Sequence, residues 1–276
     1  MPELPEVEHV VRALHRAVAG RRVLEIELKQ RSIAGGASSS AFSRQLRNCR
    51  IDGVTRRGKY ILFNLDTERI LLAHLRMTGK FVTLSADQQL PPYAHLVLYL
   101  DDDRRLVFCD MRKFGRLKVI PTAKIAQSRE LKSLAPEPFA VDFSEDYLRQ
   151  ILLRSQRSLK TLLLDQTKVL GLGNIYAAEA LFLARVSPFA RASSLSWKRA
   201  VRLHRAIREV LNEAIDYGST IRIDLEDGEG KYFGRVERFW RVYERESEPC
   251  VNCGARIRRV VQSGRSTYFC PRCQRR

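Results

Sequence analysis

Four cysteines close the chain in the pattern C-x2-C-x16-C-x2-C: Cys250, Cys253, Cys270 and Cys273. No other feature restricts the fold as strongly. Two such pairs at this separation have the spacing of a four-thiolate zinc site. Four protein ligands leave no open coordination position, so one structural Zn2+ is expected. Pro249, Gly254, Gly264 and Pro271 supply turns, and Val260-Val261 with Tyr268-Phe269 supply two strands. A β-hairpin zinc finger follows, with Arg265 near its tip. From Cys250 to the last residue there are seven arginines and no acid. An Arg at a hairpin tip reaches a phosphate or a base edge. The alternative is a stabilising knuckle that touches no nucleic acid.

The charge of the whole chain bears on that choice. The 276 residues carry 49 Lys+Arg against 31 Asp+Glu, a formal net charge of +18. Such an excess predicts a polyanionic partner, nucleic acid or an anionic membrane. No apolar run approaches the roughly 18 residues of a spanning helix. The N-terminus is acidic and lacks the basic flank and apolar core of a secretory signal. These features predict a cytoplasmic protein that meets DNA or RNA, with no membrane partner. Cys49 and Cys109 lie far from the quartet in strand-like contexts and read as buried thiols.

Pro5 to Val18 reads as a helix, with Val7, Val10, Val11, Leu14 and Val18 on one face and Gly20 as its stop. Strands follow. Leu24, Ile26 and Leu28 alternate with Glu25 and Glu27. Tyr60–Leu65 and Ile70–Leu75 flank Asp66-Thr67-Glu68, and His95–Leu100 and Arg105–Phe108 flank Asp101-Asp102-Asp103, two hairpin signals. Residues 35–40 read as a small-residue loop. The first ~120 residues therefore predict a β-sandwich or barrel with an N-terminal helix. After Pro136-Glu137-Pro138 the chain turns helical. Ser144 caps one helix, Leu159–Leu164 and Asn174–Ala184 form two short ones, and Ser196 caps a long one ending at Tyr217-Gly218. Gly228–Lys231 reads as a mobile loop. No internal repeat is visible.

Gly171-Leu172-Gly173-Asn174 is no dinucleotide fingerprint, because Tyr176 holds the third glycine position. It reads better as a helix N-terminus suited to a phosphate, with Asn174 near the cap. The opening MPELPEVE carries chemistry of another kind. Removal of Met1 before a small residue leaves Pro2 as a secondary amine beside Glu3. Such an amine attacks an aldehyde-like sugar carbon and forms a Schiff base, by the logic of lysine nucleophiles. The positive end of the following helix favours its uncharged form, and Glu3 is placed as acid or base. A frayed terminus is the alternative.

These motifs converge. MPELPEVE, RRGKY at 56–60, HLRMTG at 74–79, DMRKFG at 110–115, LAPEPF at 134–139, LKTLLLDQ at 159–166, GLGNIYAAEALF at 171–182 and the closing GRSTYFCPRCQ stand in order along nearly the whole chain. Together they resemble the bacterial formamidopyrimidine-DNA glycosylases, the 8-oxoguanine repair enzymes. The resemblance implies an α+β chain in three parts. Residues 1–135 form a catalytic β-sandwich bearing the N-terminal helix. Residues 136–239 form a helix–two-turn–helix DNA-binding domain with a lesion loop, and residues 240–276 form the zinc finger. It implies a bifunctional glycosylase and abasic-site lyase of the bacterial nucleoid, acting on double-stranded DNA that contains oxidised purines or abasic sites; a single clamp suffices, so a monomer is expected. Pro2 attacks C1′, Glu3 assists sugar-ring opening, and β- and δ-elimination follow. Lys59 matches a lysine near the reacting sugar, and His74 falls among the DNA contacts. Asn174 and Arg265 match a phosphate-binding pair, and Lys160 a basic residue near the lesion. Met77, Arg112 and Phe114 match the triad that fills the space left by an extruded base, where Met and Phe wedge and Arg bonds the orphaned cytosine.

Departures from the pattern bear on lesion preference more than on chemistry. Arg76 stands where Gly is usual, and Met111 and Lys113 replace Pro and Arg. Residues 218–221 read Gly-Ser-Thr-Ile, Tyr93-Ala94-His95 only weakly matches a His-rich segment, and the lesion loop, Asp227 to Phe233, keeps its GKYF ending. A relative of endonuclease VIII acting on oxidised pyrimidines is the near alternative. A non-catalytic zinc-bearing nucleic-acid binder is the distant one.

Overall fold

The computed structural model describes residues 2–216, 221–222, 225, 234–235 and 240–275. The expectations for Tyr217-Gly218, for the Gly-Ser-Thr part of the 218–221 motif, and for the loop at 227–233 lie outside them. The chain divides into two compact units. Residues 1–132 with 218–236 form one, and residues 133–217 with 237–276 form the other.

The first unit opens on helix α1, Leu4–Val18. Leu4, Val7, Val10, Val11, Leu14 and Val18 are all buried, as their 3.6-residue spacing requires. Pro5 sits in the first turn, where its missing N–H costs nothing, and Gly20 leaves the helix at φ +82°. Two four-stranded antiparallel sheets follow. One has the order β1-β6-β7-β5, with β1 Val23–Leu28, β5 Gly79–Leu84, β6 Ala94–Leu100 and β7 Arg105–Asp110. The other has the order β2-β3-β4-β8, with β2 Ile51–Arg57, β3 Tyr60–Leu65, β4 Arg69–His74 and β8 Arg116–Pro121. Both expected hairpins are present, in the registers Leu65↔Arg69 and Tyr99↔Arg105. Phe63 of one sheet meets Phe81 of the other at 5.3 Å between ring centroids, and Phe81 meets Phe108 at 5.0 Å. Helix α1 lies along β2 and β3.

Three details depart from the sequence pattern. A bulge between Val23 and Glu25 turns Leu24 outward, so the expected Leu24/Ile26/Leu28 face is broken at its first member. Residues 35–40 are not wholly loop. Ser38 Oγ accepts the Ala41 N–H at 3.2 Å and caps helix α2, Ser39–Leu46, which buries Phe42 and Leu46. The outer face of β5, β6 and β7 is also buried, through Val82, Leu84, Val97, Val107 and Cys109. On edge strand β5 the Leu225 carbonyl accepts both the N–H and the hydroxyl of Thr83, at 2.7 and 3.2 Å.

The second unit holds helices α3 Glu145–Leu153, α4 Leu159–Leu163, α5 Asn174–Leu183 and α6 Trp197–Asp216. Ser144 caps α3 by accepting the Tyr147 N–H at 3.1 Å. Between α4 and α5 the Gln166 amide organises the turn. It donates to the Leu172 carbonyl at 2.9 Å and accepts the Gly171 N–H at 3.0 Å. The finger hairpin pairs β9, Arg258–Gln262, with β10, Arg265–Phe269. Ser263 and Gly264, at φ +49° and +72°, make the two-residue turn that antiparallel strands favour. Strand β10 packs on α5 within this unit. The α+β architecture of β-sandwich, helical unit and C-terminal finger agrees with the sequence. Among the described residues no helix is long and apolar enough to cross a membrane.

Candidate active site and nucleic-acid interface

Pro2 and Glu3 are both buried at the start of α1, with Glu3 only 3 % exposed. Glu3 is the N-cap residue. Its N–H donates to the Glu6 carboxylate at 2.8 Å, which commits Glu6 to a capping box and leaves the Pro2-Glu3 head on a fixed helix end. Glu8, one turn on, accepts from Arg12 and Arg56, each at 2.9 Å. Burial pushes the Glu8 carboxyl up, but hydrogen bonds and charge from Arg56, then Arg12, hold it below the usual range.

Lys59 sits in the tight turn between β2 and β3. Arg57 pairs with Tyr60, and Gly58 takes φ +57°. The lysine is 5 % exposed. Arg56, already bound to Glu8, also donates to the Gly58 carbonyl at 3.2 Å. The turn that carries Lys59 is thereby tied to α1. His74 closes β4 nearby and packs edge-on against Tyr60, 4.7 Å between centroids. Burial, then the charges of Arg76 and Lys59, lower its pKa to about 3. The ring is neutral at physiological pH. Its Nδ1 accepts the Arg76 N–H at 3.0 Å, so the proton resides on Nε2.

Met77, Arg112 and Phe114 lie on two loops, one between β4 and β5 and one between β7 and β8. They meet one another. Arg112 Nη1 lies 3.2 Å from the Met77 sulfur, and the guanidinium lies 4.7 Å from the centroid of the Phe114 ring. Met77 and Phe114 are each 46 % exposed. Neither is core, the place their apolar character alone would suggest. Arg76 and Lys113 both adopt left-handed backbone, at φ +56° and +57°. The resemblance places Gly at position 76, and the φ value gives the physical reason.

Lys160, Asn174 and Arg265 fall in the second unit. Lys160 is 1 % exposed. Its ammonium donates to the Ser266 carbonyl at 2.6 Å and the Thr267 hydroxyl at 2.8 Å. Asn174, first residue of α5, donates to the same Ser266 carbonyl at 3.0 Å. Two helices thus grip the finger next to the exposed Arg265. Asn174 Oδ1 is buried with no protein partner among the described residues. Glu179 of α5 holds the entry to the finger, accepting the N–H groups of Arg241, Val242 and Tyr243 at 2.9 to 3.0 Å. Burial raises its pKa against those three bonds and the Arg241 charge. Glu179, Thr267 and Asp110 carry structural weight that the sequence reading missed. For Glu179 a signal existed, as the sole charge in the apolar helix α5.

The sulfurs of Cys250, Cys253, Cys270 and Cys273 lie within 4.8 Å of one another. Cys250 and Cys273 are 3.9 Å apart, and Cys253 and Cys270 are 3.5 Å apart. Tetrahedral zinc with bonds of about 2.3 Å sets its sulfurs about 3.8 Å apart, so the quartet fits the ion. The Ala255 N–H lowers the Cys253 thiol to about 7, while burial raises Cys270 and Cys273. A divalent cation resolves that crowding by drawing all four to thiolates. These cysteines hold a single structural zinc. Cys49 and Cys109 are buried free thiols, and burial pushes Cys109 up to about 11.

Comparison with known proteins agrees along the full length. Residues 1–117 match the formamidopyrimidine-DNA glycosylase N-terminal domain, residues 134–224 its H2TH domain, and residues 247–276 a zinc finger found in these enzymes and in IleRS. The formamidopyrimidine-DNA glycosylase of Heliobacterium modesticaldum is 42 % identical over 278 residues, covering all of both chains. That of Desulforamulus reducens is 38 % identical over 276 residues, covering all of this chain and 99 % of the relative. The Lactococcus lactis enzyme, solved in complex with abasic-site DNA, superposes with a TM-score of 0.91 at 35 % identity, covering 99 % of this chain and 100 % of that one. The chain belongs to the formamidopyrimidine-DNA glycosylase family.

Proposed function

We propose that this protein is a bifunctional DNA glycosylase and abasic-site lyase that removes oxidised purines from double-stranded DNA. The observation that carries the reading is the Pro2-Glu3 head, buried at the positive end of a helix fixed by its own capping box. With Met1 removed, the Pro2 nitrogen attacks C1′. The C1′–N bond breaks, and the base leaves with the bonding pair and takes up a proton. Glu3 protonates the ring oxygen as the sugar opens, and loss of the amine proton leaves a cationic Schiff base. Abstraction of a C2′ proton then expels the 3′ phosphate, and a second elimination expels the 5′ phosphate. Lys59 supplies positive charge beside the reacting sugar.

Met77, Arg112 and Phe114 enter the base stack, the two apolar groups as wedges and the guanidinium as donor to the orphaned base. Asn174 and Arg265 contact phosphate, and Lys160 fixes the Ser266 strand from which Arg265 projects. In this reading residues 1–135 carry the chemistry and residues 136–239 and 240–276 the grip, while residues 218–236 cluster with the first unit. The solved relatives include complexes of the Lactococcus lactis protein with Fapy-dG DNA and with oxidised-pyrimidine DNA. The substrate is therefore the sharper question. Borohydride trapping decides it, because borohydride reduces a Schiff base to a stable adduct. We expect a covalent adduct at Pro2 on duplex carrying 8-oxoguanine opposite cytosine. An adduct on an oxidised pyrimidine alone would move the protein to the endonuclease VIII side. Binding without any adduct would leave a non-catalytic module.

A further inference from the structure

Three exposed side chains that must act together as a wedge need a reason to hold still. Long or apolar side chains on loops are otherwise free to rotate, and ordering them on binding costs conformational entropy. The reason lies one layer down. Asp110 ends β7 and is fully buried, 0 % exposed. Its carboxylate accepts the Gly115 N–H at 2.6 Å through one oxygen. The other oxygen accepts the Arg112 N–H at 3.2 Å and the Thr78 hydroxyl. Thr78 comes from the other loop, directly after Met77. Having given its proton to Asp110, its oxygen accepts the Arg112 N–H at 3.2 Å. One carboxylate therefore binds both wedge loops.

The backbone of Asp110 is itself held. Its N–H donates to the Tyr93 carbonyl at 3.1 Å, and its carbonyl oxygen lies 2.8 Å from His95 Nε2, which must carry the proton. Behind the carboxylate both loops press on Phe108. A methyl group at Gly79 would fall 2.9 Å from that ring, and one at Gly115 would fall 2.5 Å from it. There is no room for either loop to relax inward.

We infer that Asp110, through Thr78, is the positioning residue that sets the Met77/Arg112/Phe114 wedge before DNA arrives. The inference rests on the glycosylase reading above and deepens it. Asp110 touches no reacting atom. It acts by presenting Met77 and Phe114 together and by fixing the backbone of the Arg between them. Its effect belongs to the opening of the base stack and not to the cleavage of bonds. A lesion still paired and stacked needs the wedge. A preformed abasic site has no base to extrude and needs it far less.

The test compares two duplexes of one sequence, with 8-oxoguanine opposite cytosine or with a preformed abasic site. Asp110→Asn and Thr78→Val should each slow removal of 8-oxoguanine about tenfold or more while cutting the abasic duplex within about twofold of the parent. Thr78→Ser keeps the hydroxyl and should restore the parent rate. A 2-aminopurine beside the lesion reads unstacking directly, and its fluorescence rise should slow in the same two variants. Thermal melting of each variant accompanies the rates, and Thr78→Val carries the test if Asp110→Asn does not fold. Equal slowing on both duplexes, or a fluorescence rise at the parent rate, would overturn the inference. If the parent protein cuts neither duplex, the glycosylase reading fails instead, and the fluorescence rise alone still decides the role of Asp110.

Discussion

Arg56 and Glu8, 48 residues apart in the chain, form an ion pair of 2.9 Å with both side chains largely shielded, and the same guanidinium holds the carbonyl of Gly58. The pair joins the helix that bears Pro2 and Glu3 to the turn that bears Lys59. A salt bridge this shielded does more than an exposed one, because removing one partner strands the other. Arg56 keeps the Gly58 carbonyl, so Glu8→Gln is expected to cost about 1–3 kcal/mol of stability. It should also loosen the Lys59 turn, seen as faster amide exchange at residues 57–60. The pH dependence has a definite sign. The folded carboxyl titrates below its ordinary 4.5, so its contribution is complete above that value and is lost as pH falls beneath it. Urea unfolding between pH 3 and 6 should show a shallower slope in Glu8→Gln than in the parent, since His74 and the other paired carboxylates still contribute. An unchanged slope would mean the pair does not hold in solution.

The zinc site supports more than its own hairpin. The finger buries few apolar groups, chiefly Val242, Ile257 and the cysteines against Ala178 and Phe182. Cys270→Ser, or a chelator strong enough to strip the site, is expected to unfold it. Lys160 then loses Ser266 and Thr267 as acceptors while remaining among the helices. The loss should reach α4 and lower the melting temperature of the second unit by roughly 10 °C. Metal analysis should find one zinc per chain in the parent and none in the stripped protein. Calorimetry reads the temperature.

Much of this was legible in the sequence, and the reasons are local. The α1 face, the two hairpins and the cysteine quartet repeat at short spacings, so their partners are close in the chain. What short-range pattern leaves unseen has the opposite cause. Lys160 looks like a surface cation until a strand 106 residues later brings the Ser266 carbonyl to it. Asp110 looks like a turn residue until Thr78 arrives from the neighbouring loop. Met77 and Phe114 look like core until both are found half exposed. Leu24 fits the alternation of its strand, and only the bulge beside it shows otherwise. In each case the deciding contact is long-range, and no periodicity records it.

Thr267 offers a test of the grip on the finger that leaves the metal alone. It is fully buried, accepts from Lys160, and donates to Gln262 Oε1 at 3.2 Å. Thr267→Val keeps the shape and removes the hydroxyl. A buried ammonium left short of one acceptor should cost about 1–3 kcal/mol. Zinc content should be unchanged. If zinc falls with stability, the hydroxyl serves the metal site and not the helices.

His74 makes the last prediction, and it concerns acid. The folded ring protonates at about 3 and the unfolded one near 6.5, because burial and the charges of Arg76 and Lys59 oppose a second cation there. Between those values the unfolded chain binds the extra proton. Stability is therefore complete above about 6.5 and declines as pH falls toward 3, by at most about 1.4 kcal/mol per pH unit from this residue. Arg76→Gly separates the causes. It removes one of the opposing charges and places at φ +56° the residue that tolerates it best. The net stability change should stay within about 1 kcal/mol, since relief of backbone strain offsets the entropy of glycine. The His74 titration, followed by NMR of the ring carbons, should move upward while staying below 6.5, because burial and Lys59 remain. An unmoved midpoint would assign the shift to burial and Lys59 without Arg76. A midpoint at 6.5 would mean that the ring is exposed to water and that the Arg76 N–H does not close on its Nδ1.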